Sequence, residues 1–225
     1  MVQMGPSTEH GRGDAGWIYV KDRELDGRCS DSSTLSTVNI HNDSGTRWVE
    51  IGWHERWDCY SCSPKTKKWN VFIEGRSANG AGFGHIDNGP AIPGSDVETW
   101  DRFKINDLDS APDTWQFFWM KDAVNGSYQL VCNGIPDADC TWEAGFQGGY
   151  AFGETEIWRS NGNTGARSHL ENLKYKDCGT SCSWDPWQNN LNPKGDNVGY
   201  DHIDGFEWHK VANDEYTFTP CQSPC

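Results

Sequence analysis

Apolar and polar residues alternate in short runs along most of the chain, and clusters of Gly, Asn, Asp and Pro separate these runs about every 10 to 18 residues. This spacing is typical of a β-sandwich and differs from that of alternating strands and helices. No segment has helical periodicity over three turns. We therefore predict an all-β fold, an antiparallel two-sheet β-sandwich of the jelly-roll or concanavalin-like kind with disulfide-pinned loops.

The alternation marks ten candidate strands, which are Trp17–Val20, Ser36–His41, Trp48–Trp57, Trp69–Arg76, Trp100–Asn106, Trp115–Lys121, Tyr128–Asn133, Tyr150–Trp158, Ser168–Tyr175 and Tyr216–Thr219. Two segments between strands have the composition of hairpin turns, because Asn and Gly tolerate positive φ. They are Asn125-Gly126 and the "SNGNTG" segment at Ser160–Gly165.

The length of 225 residues suits one large β domain. We predict a flexible N-terminal arm at 1–16, a sandwich domain at 17–177 and a Cys-containing C-terminal appendage at 178–225. The last segment is rich in Asn, Asp, Pro and Gly and has too few apolar residues for a core of its own, so we expect it to pack on the sandwich.

Eight of the nine cysteines form close pairs in sequence. The pairs are Cys59/Cys62, Cys132/Cys140, Cys178/Cys182 and Cys221/Cys225, and Cys29 has no close partner. Local disulfides in a secreted, extracellular protein are the favoured interpretation. Zinc is less favoured, because structural zinc sites usually combine two close pairs with compact loops. We predict no metal and no other cofactor.

The formal net charge is −14 and the sequence pI is near 4.8. Nucleic acids and anionic membranes require a basic surface, so we expect neither as a partner. An acidic surface usually keeps a protein soluble, and we expect a monomer. It is also compatible with work in acid, where protonation of carboxylates relieves self-repulsion.

The stretch "TRWVEIGWHERW" at Thr46–Trp57 combines an apolar face with an unusual polar one. As a strand it directs alternate side chains to opposite faces. The core face holds Val49, Ile51, Trp53 and Trp57. The other face holds Trp48, Glu50, Gly52, His54 and Arg56.

The stretch "GGYAFGETEIW" at Gly148–Trp158 repeats this pattern. Its small and aliphatic face, which suits packing on a second sheet, holds Ala151, Gly153, Thr155 and Ile157. Its other face holds Tyr150, Phe152, Glu154, Glu156 and Trp158. Neighbouring strands that present aromatic rings and a few acids make a groove for an extended polymer, and carboxylates in partly apolar surroundings can exchange protons.

Several functions remain open on this pattern. The three glutamates are either solvated residues of an exposed sheet face or members of a catalytic pair. The same groove suits a lectin-like sandwich, in which Trp48, Tyr150, Phe152 and Trp158 stack on sugars. It also suits a polysaccharide-cleaving enzyme with two carboxyl groups across the groove.

"VEIGW" at Val49–Trp53 resembles the Glu-x-Gly-Trp strand of neprosin-type glutamic peptidases and, more distantly, the Gln-x-Gly strand of the eqolisins. The order that follows is also similar, with "CYSC", "MKDAVNGSYQLVCNG" and "GGYAFGETEI". The likeness covers roughly Trp48–Trp158, and uncharacterised secreted actinobacterial sandwich proteins have a similar strand. A "GYWP" segment of the family has no counterpart between Asn133 and Gly148.

The resemblance implies a β-sandwich with two catalytic glutamates on adjacent strands of one concave sheet. One glutamate activates water for attack on a peptide carbonyl, and the other stabilises or protonates the tetrahedral oxygen. Such enzymes cleave polypeptides in acid without metal. Glu50 takes the first position, and the second is Glu154 or Glu156. The flanking side chains that we expect to bind substrate are Trp48, His54, Arg56, Tyr150, Phe152 and Trp158.

Overall fold

The fold was derived from a computed structural model, which describes residues 2–6, 10–22, 33–57, 66–77, 82–83, 90–108, 111–132, 139–158, 168–178, 181–187, 191–195, 206–212 and 214–220. For 2–6, 10, 82–83, 111–112, 156–158, 191–195, 206–210 and 218–220 it describes the backbone alone. Every regular element in these ranges is a strand, apart from one 3₁₀ turn at Gly94–Asp96. This confirms the all-β prediction.

The first sheet has the order β16-β1-β13-β4-β5-β6-β7, with β2 beside β13 and β8 beside β6. Its strands are β1 (Val2–Pro6), β2 (His10–Gly11), β4 (Ser33–His41), β5 (Trp48–Trp57), β6 (Lys67–Arg76), β7 (Gly82–Phe83), β8 (Ala91–Ile92), β13 (Gly149–Trp158) and β16 (Leu191–Gly195). All the pairings are antiparallel.

The second sheet has the order β11-β10-β9-β3-β14-β18-β17, with β12 beside β10 and β15 beside β14. Its strands are β3 (Gly13–Val20), β9 (Thr99–Leu108), β10 (Ala111–Met120), β11 (Gln129–Leu130), β12 (Trp142–Glu143), β14 (Ser168–Cys178), β15 (Cys182–Pro186), β17 (Phe206–Ala212) and β18 (Glu215–Pro220). This sheet is antiparallel as well.

The core lies between the two sheets and consists of the alternate residues that face inward. The first sheet contributes Val38, Ile40, Val49, Ile51, Trp53, Val71, Ile73 and Ala151, and the second contributes Ile18, Val20, Phe103, Ile105, Trp115, Phe117, Leu170 and Tyr216. Burial of these side chains supplies most of the driving force for folding. The antiparallel two-sheet sandwich predicted from the alternation is therefore confirmed.

The predicted strands agree with the structure most closely where the alternation is longest. Trp48–Trp57 is reproduced without change, and eight of the others differ by a few residues at their ends. Of the candidate at Tyr128–Asn133, the structure assigns only Gln129–Leu130 (β11) to a strand. The hairpin at Asn125-Gly126 joins β10 to β11, as predicted.

Polar segments near both ends of the chain also form strands. Val2–Pro6 pairs with β13 and β16, and Gly13–Val20 is central to the second sheet, so the segment predicted as a flexible arm at 1–16 contains strands. Strands β15 to β18 within 178–225 extend both sheets. A segment without its own apolar pattern can join an existing sheet edge through backbone hydrogen bonds alone. The division into domains stays a prediction.

The "SNGNTG" segment, for which a hairpin turn was predicted, lies outside the described residues. The strands before and after it, β13 and β14, belong to different sheets. Gly and Asn indicate a turn, but they do not say to which sheet the next strand goes.

Two of the predicted disulfides lie within the described residues, and both are present. They are Cys132–Cys140 and Cys178–Cys182. The pairs Cys59/Cys62 and Cys221/Cys225 and the unassigned Cys29 lie outside the described residues. In the described part of the chain there is no helix long and apolar enough to cross a membrane.

The interior also contains carboxyl groups. Asp14 on β3 is fully buried near the indole nitrogen of Trp187 and the backbone of Asn39, and burial raises its pKa well above the usual range. Asp101 on β9 accepts hydrogen bonds from Trp119 Nε1 (2.9 Å) and the Asp122 amide (3.1 Å). Burial still raises the pKa of Asp101 from 3.8 to about 6. Both groups are therefore protonated at a higher pH in the folded protein than in the unfolded chain.

We predict that Asp101 makes the fold more stable in acid. At a pH between its unfolded pKa near 3.8 and its folded pKa of about 6, Asp101 is more often protonated in the folded protein than in the unfolded chain. The free energy of unfolding therefore falls as pH rises through this range. The full effect is about 3 kcal/mol. Urea unfolding at pH 4 and pH 7 measures it, and Asp101→Asn should remove this share of the difference. Asp177→Asn, at an exposed residue of the same sheet, is the control. An unchanged pH dependence in Asp101→Asn would contradict the prediction.

Candidate active site

The outer face of the first sheet carries the predicted site residues in rows that run across β13, β4, β5 and β6. Row 1 is Tyr150, His41, Trp48 and Arg76; row 2 is Phe152, Asn39, Glu50 and Glu74; row 3 is Glu154, Thr37, Gly52 and Phe72; row 4 is Glu156, Leu35, His54 and Asn70; row 5 is Trp158, Ser33, Arg56 and Lys68. The residues between these rows face the core.

Glu50 and Glu154 are both buried at the centre of this outer face, with 8% and 4% of their surface exposed. Thr37 Oγ1 donates a hydrogen bond to Glu50 Oε2 at 2.9 Å, and Asn39 Nδ2 donates one to Glu154 Oε2 at 2.8 Å. Both donors are fully buried residues of β4. The two acids are therefore held in place and are not solvated residues of an exposed sheet face.

The two hydrogen bonds run diagonally across the rows. Thr37 lies in the row of Glu154 but binds Glu50, and Asn39 lies in the row of Glu50 but binds Glu154. The Glu50 side chain therefore reaches β4 from β5, and the Glu154 side chain reaches it from β13. The resemblance implied adjacent strands, but β4 lies between β5 and β13, so here the two glutamates are separated by one strand.

The register distinguishes Glu154 from Glu156 as a partner for Glu50. Strands lie about 4.8 Å apart and successive residues on one face about 6.8 Å, so the Cα atoms of Glu50 and Glu154 are roughly 12 Å apart and those of Glu50 and Glu156 roughly 17 Å. Glu154 is one row from Glu50 and Glu156 is two rows away. The side chains of Glu156 and Trp158 lie outside the described part of the chain. The register therefore favours Glu154.

Glu74 is a third acid that the sequence interpretation missed. It is directly opposite Glu50 on β6, in row 2, and is half-buried. Paired residues on antiparallel strands have Cα atoms about 5 Å apart, so the register gives Glu50 and Glu74 neighbouring positions on the same face. The alternation of "WNVFIEGR" gives Glu74 the same face as Phe72, but only the register of β5 and β6 brings it beside Glu50.

Row 1 forms an aromatic border on one side of the acids. The His41 ring centroid lies 5.0 Å from that of Phe152 and 6.2 Å from that of Trp48, and the Arg76 guanidinium lies 5.7 Å from the Trp48 ring. Trp48 and Tyr150 are half-buried, but Phe152 is only 8% exposed. A lectin-like stacking platform requires exposed rings, and Phe152 does not supply one.

Two apolar residues, Leu35 in row 4 and Phe72 in row 3, lie on the other side of Glu50. Leu35 and Phe72 make a small buried cluster, and the half-buried His54 ring lies 5.9 Å from the Phe72 ring. Arg56 is half-buried in row 5, three rows from Glu50. His54 thus borders the acid pair, whereas Arg56 lies further along the same face.

Gly52 lies one row from Glu50 on β5, where the neighbouring strand leaves no room for a side chain. A Cβ at this position would lie 1.9 Å from the Ser36 carbonyl oxygen and 2.7 Å from Thr37 Cα, both in the backbone of β4. Glycine therefore allows the close approach of β5 and β4 beside Thr37, which donates to Glu50.

No protein-family model matches this chain, and no curated protein matches it. Solved structures do match it. Two structures of scytalido-glutamic peptidase, each with a transition-state analogue and one described as peptide-based, have a TM-score of 0.56 at 9% identity, over 97% of this chain and 96% of that one.

A third structure has a TM-score of 0.52 at 8% identity, over 97% of this chain and 96% of that chain. It is SCP-B, a member of the eqolisin family of peptidases, in complex with the tripeptide Ala-Ile-His. The likeness spans nearly the full length of each chain, and at this identity it shows a shared fold. The structural neighbours are thus glutamic peptidases of the eqolisin kind, and a neprosin-type relationship is not confirmed.

We predict that Gly52→Ala destabilises the protein by about 3 kcal/mol or more, because the new methyl group can be accommodated only if the β4 backbone moves. Chemical denaturation measures the change. Gly94→Ala is the matched control, since a Cβ there meets nothing within 4 Å, and it should change stability by less than about 0.5 kcal/mol. Equal stability of the two variants would show that β4 and β5 do not approach as described.

Proposed function

We propose that this protein is a glutamic endopeptidase that hydrolyses polypeptides in acid with Glu50 and Glu154. The observation that carries the proposal is the pair of diagonal hydrogen bonds, by which Thr37 and Asn39 fix two buried carboxylates on either side of β4. Buried acids fixed in this way are costly for stability, which favours a functional role. The eqolisin-like fold supports the same reaction class.

The surroundings suggest different roles for the two acids. Glu50 has Glu74 opposite it, and two neighbouring carboxylates repel each other when both are ionised, so this pair favours holding a proton at low pH. Each acid accepts a hydrogen bond, Glu50 from Thr37 and Glu154 from Asn39, so the neighbouring Glu74 is the difference on which this assignment rests. We assign Glu154 as the general base and protonated Glu50 as the hydrogen-bond donor.

The reaction then proceeds in two steps. Glu154 takes a proton from water, the water oxygen attacks the peptide carbonyl carbon, and Glu50 donates a hydrogen bond to the developing oxyanion. In the second step the C–N bond breaks and the proton on Glu154 passes to the leaving amine. The products are a carboxylic acid and an amine, and both glutamates return to their initial states.

The rows favour an extended substrate that crosses them one after another. A peptide that runs along the strand direction would meet the aromatic border of row 1, then the acids of rows 2 and 3, then Leu35 and His54 of row 4. Trp48, Tyr150, Phe152 and His54 would flank it, with Arg56 and Trp158 further along. The two disulfides support an oxidising, extracellular location, and we expect a monomer.

The proposed activity is tested with unfolded casein across pH 2 to 8, with and without a chelator, and with a soluble β-glucan as the alternative substrate. We expect cleavage of casein in acid only, unaffected by the chelator. No proteolysis at any pH, or proteolysis that the chelator stops, would overturn the proposal. Cleavage of the glucan alone would assign the groove to polysaccharide hydrolysis.

The two glutamates should respond differently to amide substitution. Glu154→Gln removes the base and should lower kcat by about a hundredfold or more. Glu50→Gln keeps a hydrogen-bond donor, so it should retain part of the activity and should extend it to higher pH, because an amide does not lose its proton. Glu143→Gln, at an exposed residue of the second sheet, is the control. The roles are reversed if Glu50→Gln is the inactive variant.

Thr37 should act as a positioning residue. Thr37→Val preserves the shape of the side chain but removes the hydrogen bond to Glu50, and loss of one bond to an acid costs about 1.5 to 3 kcal/mol. We expect kcat to fall about tenfold or more with KM unchanged, and Thr37→Ser to restore it. If Thr37→Val changed only the unfolding temperature, its role would be structural alone.

A further inference from the structure

We propose that His169, Glu171 and Glu215 form a binding site for a divalent cation, with Zn²⁺ as the preferred ion, on the outer face of the second sheet. One ligand atom from each residue lies within 4.8 Å of the other two. His169 Nε2 and Glu215 Oε1 are already in contact at 2.6 Å, and their side chains are 30% and 24% exposed. The site is therefore accessible from solvent.

The strand register explains why these three side chains converge. His169 and Glu171 alternate with the core residue Leu170 on β14, so both point outward. Glu215 precedes the core residue Tyr216 on β18, the neighbouring strand, where Leu170 pairs with Tyr216. Two rigid strands thus bring one imidazole and two carboxylates to the same place.

Further contacts orient the ligands. The Trp100 ring packs edge-on against the His169 ring at 4.7 Å, which restricts its rotation. Asn172 has a φ of +50° at the point where the register of β14 against β3 shifts, and its Nδ2 donates to Glu171 Oε1 at 3.3 Å. Irregular strand positions of this kind often direct a side chain toward a site.

The ligand chemistry favours Zn²⁺ over the alkaline-earth ions. Zn²⁺ takes one or more imidazole ligands together with carboxylates, whereas Ca²⁺ and Mg²⁺ prefer oxygen ligands only. Donor atoms on a common Zn²⁺ lie about 3 to 3.5 Å apart, so small side-chain movements would suffice.

The ion would connect β14 to β18. In the described residues these strands pair at Ser168 to Leu170, and the Leu173 amide also donates to the Asp214 carbonyl just before β18. Strand β17 lies beyond β18 at the edge of the sheet. A cation bound by both strands would fix the C-terminal hairpin to the sandwich. Because the site belongs to the second sheet, it is separate from the proposed acid pair and would not take part in peptide hydrolysis.

The test uses the full-length protein at pH 7.5 after treatment with EDTA and dialysis. Calorimetric titration with Zn²⁺ should show one ion bound per chain, and a hundredfold excess over Kd should raise Tm by roughly 5 °C or more. EDTA should reverse the shift, and Ca²⁺ or Mg²⁺ at the same concentration should not produce it. No binding, or an equal response to Ca²⁺, would overturn the proposal.

Three variants locate the ion. His169→Gln, Glu171→Gln and Glu215→Gln should each abolish the Zn²⁺-dependent rise in Tm, and Glu143→Gln should retain it. Circular dichroism of each metal-free variant checks its fold. Co²⁺ replaces Zn²⁺ as a probe, and a thiolate-to-cobalt absorption band would show that cysteines bind the ion instead. Retention of the full shift in His169→Gln would likewise overturn the site.

Discussion

The antiparallel register of β4 between β5 and β13 is the constraint on which the candidate site depends. It brings Thr37 and Asn39 between Glu50 and Glu154, and each donor binds the acid in the other's row. A shift of one residue would turn these side chains into the core and bring Val38 to the outer face. Burial of Val38, Ile40, Val49 and Ile51 opposes such a shift, so the apolar face also fixes the geometry of the polar face.

The alternation of apolar and polar residues was sufficient to predict the sandwich and most of its central strands. It also identified the face that contains Glu50 and Glu154, because the period of two separates core and outer residues in any strand. It could not supply strand order. Glu74 was therefore missed, and β4 was not expected between the two acids, since both facts depend on pairing between distant segments.

Two short strands at one side of the first sheet were missed for a different reason. Strands such as β1 and β16 join the sheet through backbone hydrogen bonds, which any residue except proline can donate. Their side chains need no particular pattern, so the sequence contains no signal for them. The role of Gly52 could not be predicted for a similar reason, because its constraint comes from the backbone of β4, and only the pairing of β4 with β5 brings the two together.

The outer faces of the two sheets carry different functional groups, and the inner faces share one core. The first sheet has the buried acid pair on its outer face, and the second has the His169 cluster and a series of cations over aromatic rings, including Arg102 at 4.2 Å from the Trp17 ring. Between the sheets, burial raises the pKa of Asp14 and Asp101, so protonation of these two carboxyl groups in acid stabilises the fold. With a net charge of −14 at pH 7, the molecule also gains from partial protonation.

The central claim is that Glu50 and Glu154 act on the same peptide bond above β4, Glu154 by activating the attacking water and Glu50 by binding the carbonyl oxygen, so in the free protein both should contact one bound water. A crystal structure of the protein at about pH 4, at a resolution that shows ordered water, tests it most directly. We expect one water within hydrogen-bond distance of a carboxyl oxygen of each glutamate, with Thr37 and Asn39 still bound to the other oxygens. Carboxyl groups too far apart for a single water to bridge, or directed away from each other, would contradict the account.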